Sequence, residues 1–349
     1  MLKIDKNIII AIDSAKKLED LHHLVQNAIE LEHATIPPYL TAMFSFHPNT
    51  NKEIWEIINS VVIEEMLHMS IASNVLNALG GKPAINVEHF IPKYKGHLPM
   101  GIGGSLEVGL EQYSKKQVKN VFMEIEEPEH PIDFPTIMSL VSKKEETFAT
   151  IGQFYHAVQC KIDELADDIL PGKVERQFTT RFFPAEELFP IITKQDAIKA
   201  IDIIIEQGEG SENSPIDPEG ELAHYYRFEE LYYGHRLIKD ATAENGYSFT
   251  GPEIPFDKSA VYNLFPNTKL AMLPDGTEEK RLANQFSFVY AKLLNALHRT
   301  FNGDVGFFDN TFGLMYDLKL IANRLCAMDF PGKEAYKIGP TFEYVDINV

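Results

Sequence analysis

Apolar residues recur at helical spacing in several long stretches of the chain. Over residues 14–46, Leu21, Leu24, Val25, Ala28, Leu31 and Thr35 mark one face of a long helix that Ser14 can cap. Pro37 and Pro38 lie inside it and predict a kink or an interruption. After the turn His47-Pro48-Asn49-Thr50-Asn51, a second helix is expected over 52–79, striped by Ile54, Ile58, Val61, Met69, Ala72, Val75 and Leu79. Gly80-Gly81-Lys82-Pro83 ends it. Residues 83–135 lose the period and read as a long connection of turns and short strands, closing on the acidic run Glu124 to Glu129. A third helix is expected over 136–168, through Ile137, Val141, Phe148, Ile151, Tyr155, Val158 and Ile162. A fourth starts near Lys194, breaks at Gly208-Glu209-Gly210, and resumes from Glu221 to about Lys239 beyond a Pro/Gly/Ser/Asn-rich loop. Two further helical patterns occupy 280–300 and 311–328.

The expected fold class is therefore mainly α. A four-helix bundle spans 1–240, with a crossover at 83–135 and an insertion at 207–220. Residues 241–349 form a helical C-terminal extension packed on it. An excess of 51 acidic over 32 basic residues gives a net charge of −19, which repels phosphate backbones and argues against nucleic acid as a partner. Two cysteines, Cys160 and Cys326, are too few for a disulfide framework or a thiolate metal site. The apolar run Asn7 to Ile12 is short for a signal peptide, and no stretch has the ~20 apolar residues of a membrane span. A cytoplasmic location is the resulting expectation.

The chemistry concentrates at Glu65-Met66-Leu67-His68. Residues three apart share a helix face, and here that face is the apolar one carrying Ile58, Val61 and Ala72. A carboxylate and an imidazole buried together must pair or bind a metal. Glu64 falls off the stripe and reads as solvated. Glu32 lies in line with Val25, Ala28, Thr35 and Tyr39, and is as far before the 47–51 turn as Glu65 is after it. The first three candidate ligands are thus Glu32, Glu65 and His68. Counting levels on the other helix pair reaches Glu206 on helix 4 and Gln153 on helix 3, with Glu146 two turns earlier as the alternative. His224 is the first histidine after the insertion and the candidate to complete the set, although Glu221-x-x-His224 is also a Glu-x-x-His spacing. Tyr39 reads as a packed core tyrosine beside the site. His22, His23, His33 and His156 read as surface or satisfied core histidines.

The chain also resembles the ferritin-like domain proteins related to the iminophenyl-pyruvate dimer synthases. The likeness rests on Ala28-Ile29-Glu30-Leu31-Glu32-His33-Ala34-Thr35-Ile36-Pro37-Pro38-Tyr39-Leu40, Glu64-Glu65-Met66-Leu67-His68-Met69 and Ile151-Gly152-Gln153-Phe154-Tyr155. It continues through Ile205-Glu206-Gln207-Gly208-Glu209-Gly210, His224-Tyr225 and Gly339-Pro340-Thr341-Phe342-Glu343-Tyr344. The resemblance implies a ferritin-like bundle with a helix-4 insertion, and Glu where this chain has Gln153. A metal site of this donor set would take two ions, iron or alternatively manganese. The expected activity is a non-haem di-metal oxidase or oxygenase acting on a small, amino-acid-derived substrate, with dioxygen as co-substrate. The alternatives are a metal-binding protein without turnover and a pathway partner with a crippled site. A homo-oligomer is compatible with each.

Overall fold

In the computed structural model, the helix expected over 14–46 starts later, at His22 after a 3-10 turn at Leu18–Leu21, and runs on through its two prolines; Ser14 ends the preceding helix and does not cap this one. The structure describes residues 6–101, 104, 106–128, 131–132, 134–136, 151–211 and 214–347. The apolar N-terminal run forms a helix of its own, α1 (Lys6–Ser14), and α2 spans His22–Phe44 with Pro37 and Pro38 inside. The interruption expected as one outcome at the prolines is thus corrected: the helix runs through them. Pro38 cannot donate to the carbonyl of Ala34 one turn back. The Tyr94 hydroxyl donates to that carbonyl instead, at 2.8 Å. Tyr94 belongs to the 83–135 connection, so the crossover is fastened to α2 where the helix lacks its own bond. Replacing Tyr94 by Phe should leave a buried carbonyl without a donor and cost about 1–3 kcal/mol, read as a shift in the urea midpoint.

Helix α3 (Lys52–Ala78) packs along α2. Asn51 precedes it in the left-handed region, which asparagine tolerates better than most residues. Beyond α3 the chain closes on itself at Gly172, whose amide donates to the Ala78 carbonyl at 2.8 Å. A Cβ there would stand 1.9 Å from the Asn77 carbonyl oxygen, so only glycine fits. The crossover is more helical than the sequence suggested. Among its described residues, α4 (Lys115–Gln117), a π-helical turn (Val118–Phe122) and α5 (Met123–Ile125) run consecutively. Val118, Phe122 and Ile125 are fully buried, and their spacing of three and four is helical.

Helix α6 (Ile151–Leu165) is the described part of the third bundle helix, and Glu146 lies outside the described residues. Helix α7 (Lys194–Glu209) starts on a reciprocal cap: Asp196 N–H donates to Thr193 Oγ1 at 3.1 Å, and Thr193 N–H donates to Asp196 Oδ2 at 2.8 Å. Gly210, at φ +81°, ends it. After the insertion, α8 (His224–Tyr233) continues the fourth helix and ends at Gly234 in the left-handed conformation. Helices α6 and α7 pair, and α3 touches both α7 and α8. At the C-terminal end, α9 (Glu278–Phe301) and α10 (Phe308–Ala327) pack on each other, α10 against α2 and α9 against α3. Among the described residues, strand is confined to two hairpins, β1 (Ile238–Lys239) with β2 (Tyr247–Ser248), and β3 (Asp329–Phe330) with β4 (Lys333–Lys337). No described helix is long and apolar enough to cross a membrane.

Candidate metal centre

Glu32, Glu65, His68 and His224 converge in the interior of the bundle, each at most 5% exposed. Ligand atoms of Glu65, His68 and His224 all lie within 4.8 Å of one another. Their helices place them for simple reasons. Glu32, Thr35 and Tyr39 follow each other at spacings of three and four on α2, and Glu65 and His68 at three on α3. His224 is the first residue of α8, directly beyond the insertion.

The two imidazole rings stack at a centroid separation of 5.3 Å and are anchored in the same way. His68 Nε2 lies 2.9 Å from the Gln207 side-chain oxygen, and His224 Nε2 lies 2.9 Å from Glu64 Oε2. An acceptor at Nε2 fixes a proton on that nitrogen, so each Nδ1 faces the interior. His68 Nδ1 is 3.6 Å from Glu32 Oε2. His224 Nδ1 is 3.0 Å from Glu65 Oε1 and 3.5 Å from Glu126 Oε2, but is aligned for a hydrogen bond with neither. The surrounding groups complete the second ring of contacts. Thr35 Oγ1 donates to Glu65 Oε2 at 3.0 Å, the Tyr39 hydroxyl to Glu126 Oε1 at 2.5 Å, and the Tyr155 hydroxyl to Glu32 Oε1.

Glu64 is not solvated, as its place off the stripe had suggested. Its side chain is 15% exposed, held by His224 and by Arg227 Nη1 at 2.8 Å. Burial opposes its ionisation, but the hydrogen bond and charge of His224 and the Arg227 guanidinium prevail and hold it down at about 2. Burial pushes Glu65 the other way, up to about 8, and the charges of Glu126 and Glu32 add to it. Burial works against a charged His68, yet the hydrogen bond to Glu32 and the charges of Glu65 and Glu32 raise its pKa overall. For His224, burial is likewise overcome by Glu126, Glu64 and Glu65, and its pKa stands well above the usual value. Tyr39 and Tyr155 are pushed well above the phenol range, by burial first and by the carboxylates second, so both stay donors.

This arrangement suits a cation. Carboxylates surround Nδ1 atoms that no hydrogen bond satisfies fully, so positive charge is drawn to that point as a proton or as a metal ion. Hard carboxylate oxygens mixed with imidazole nitrogens are donors suited to a divalent transition metal.

The remaining sequence-derived candidates stand elsewhere. Gln153 is half-buried and does not line the cavity between the carboxylates; Gly152 and Tyr155 of the same helix do. Glu206 is also half-buried. Burial raises its pKa, followed by the charges of Asp202, Glu219 and Asp217, which places it beside the insertion. Its neighbour Gln207 is the residue that reaches His68. Glu126 was not singled out from the sequence. It follows α5 in the acidic run, and the buried Val118, Phe122, Ile125 series on the preceding turns is the signal that could have pointed to it. His33 is buried and bonded to Tyr290, while His156 is exposed.

The ferritin-like family model matches residues 25–233, which takes in the groups around the two imidazoles, from Glu32 to Arg227. The chain belongs to the ferritin-like family. A ferritin-like protein from Caulobacter vibrioides of known structure is similar over 95% of this chain and 99% of its own, at 21% identity and a TM-score of 0.59. That likeness supports the ferritin-like fold across the chain, C-terminal helices included. No curated protein matches the chain.

Proposed function

We propose that this ferritin-like protein is a non-haem di-metal oxidase or oxygenase, with iron as the first choice of metal and manganese as the second. The observation that carries the reading is the paired presentation of His68 Nδ1 toward Glu32 and His224 Nδ1 toward Glu65, each ring held from behind at Nε2. Glu32, Glu65, His68 and His224 would hold the metal, joined by Glu126 in the place that the sequence count gave to Gln153 and Glu206. Iron bound there supplies redox chemistry with dioxygen. The chain's own contribution is positional. Gln207 and Glu64 orient the imidazoles, Tyr155 and Tyr39 hold Glu32 and Glu126 in place by donating hydrogen bonds to them, and Arg227 balances Glu64. The small, amino-acid-derived substrate, the relation to the iminophenyl-pyruvate dimer synthases and the role of dioxygen belong to this proposal.

A second reading draws on the size of the cavity between the carboxylates, about 30 Å³. That volume accommodates an ion and a water or a dioxygen, but no organic substrate. On this reading the protein binds metal without substrate turnover. Two measurements separate the readings: metal content of the protein, and oxygen uptake after ferrous iron is added with and without aromatic 2-keto or 2-imino acids. The proposal expects bound iron and uptake that rises with substrate. Bound iron with substrate-independent uptake favours the second reading, and a protein that takes up no transition metal overturns both.

A further inference from the structure

A second cavity is lined by residues of α2 and α3 other than those that face the metal centre. It encloses about 310 Å³ and is walled by α2, α3, α9, α10 and the segment around Phe182. This is the lower end of the range found for small-molecule sites. Its lining is almost wholly apolar, with Leu294, Phe301, Phe308 and Phe342 among the buried residues. Phe182, Phe312 and Tyr316 also line it, and all three are exposed, so the cavity opens to the surface through an aromatic mouth. Lys319 is the sole charged residue in the lining, and its Nζ sits over the Trp55 ring at 4.7 Å.

Among the polar groups in the wall, His33 stands out. His33, 4% exposed, shares a 2.6 Å hydrogen bond between Nε2 and the Tyr290 hydroxyl, and Tyr290 lines the cavity too. His33 Nδ1 has no hydrogen-bond partner. An unpaired buried polar atom is destabilising, so a ligand that meets it gains affinity that an apolar one does not. If the Tyr290 hydroxyl donates to Nε2, Nδ1 carries a proton and needs an acceptor; in the other tautomer it needs a donor. An alcohol oxygen satisfies both cases.

We propose that this cavity is a binding site for an apolar alcohol, its hydroxyl on His33 Nδ1 and its hydrocarbon body running toward Phe182, Phe312 and Tyr316. The site shares no lining residue with the metal centre and is independent of the function proposed above.

The chain carries its own reporter, because Trp55 lines the cavity and is the one tryptophan in the sequence. Titration with 1-decanol should change Trp55 emission saturably, with one-to-one stoichiometry in calorimetry. His33→Leu should weaken binding about tenfold, the equivalent of one hydrogen bond. Leu297→Phe, on α9 and away from the metal-binding helices, should fill the cavity and abolish the response. It also decides the matter if His33→Leu does not fold. A non-saturating response, or a response the same in wild type and both variants, would overturn the proposal.

Discussion

Alanine in place of Glu65, His68 or His224 is expected to abolish tight metal binding, while the folded helical signal in circular dichroism persists. Each of the three donates from a rigid bundle helix, and each has its approach fixed by a neighbour: Thr35 for Glu65, Gln207 for His68, Glu64 for His224. Losing one donor removes a ligand whose atom stands within 4.8 Å of the other two. Gln207→Ala makes a graded comparison. It leaves every donor present but frees the His68 ring, and should weaken binding by about 10–100-fold rather than eliminate it. Metal content after dialysis and competition with a chelator measure both. Stoichiometric metal retained in His224→Ala would remove that residue from the ligand set.

Arg227→Ala should be the most damaging single change outside the donor set. Arg227 is 6% exposed, reaches Glu64 at 2.8 Å, Ser60 at 3.0 Å and Glu221 at 3.1 Å, and also donates to the Leu222 carbonyl. Its removal leaves Glu64 largely buried with His224 alone as a counter-charge. Breaking a buried pair in this way costs about 3–5 kcal/mol, readable from urea unfolding at neutral pH. The pH dependence follows from the depressed Glu64. A carboxyl lowered on folding contributes stability in full above its unfolded value near 4.5, and loses it as pH falls through about 2. The gap between wild type and Arg227→Ala should therefore be widest above pH 5 and narrow steadily on acidification. A gap that stays constant from pH 7 to pH 2 would mean that Arg227 acts by packing alone.

The helices and half of the centre were legible because buried periodicity and a three-residue spacing encode both height and facing direction. Glu32, Glu65 and His68 could be placed from their own helices in that way. Counting levels across the second helix pair carries only height. On α6 it arrives at Gln153, whereas Tyr155, two residues on and across the helix, faces Glu32. On α7 it arrives at Glu206, whereas Gln207, one residue and about 100° further round, faces His68. Glu64 was misread for a related reason. A residue off the stripe of one helix is solvated only if nothing covers it, and α8 supplies Arg227 as the cover. The prolines misled because the sequence of α2 does not show that Tyr94, more than fifty residues later, replaces the missing donor. Glu126 lay in a region whose hydrophobic spacing is broken into turns too short to stand out.

The position of Glu126 also bears on the order in which the chain assembles. The groups around the two imidazoles come from residues 32, 65, 68, 126 and 224, so their meeting closes loops across much of the sequence. Contacts between α2 and α3 are local and form early, but the arrival of α5 and α8 at the same point demands long-range closure. A nascent chain that has folded only its first helix pair would hold Glu32, Glu65 and His68 and lack the rest. Under the proposed function, metal capture would then be a late event that locks the crossover and the fourth helix onto the bundle together.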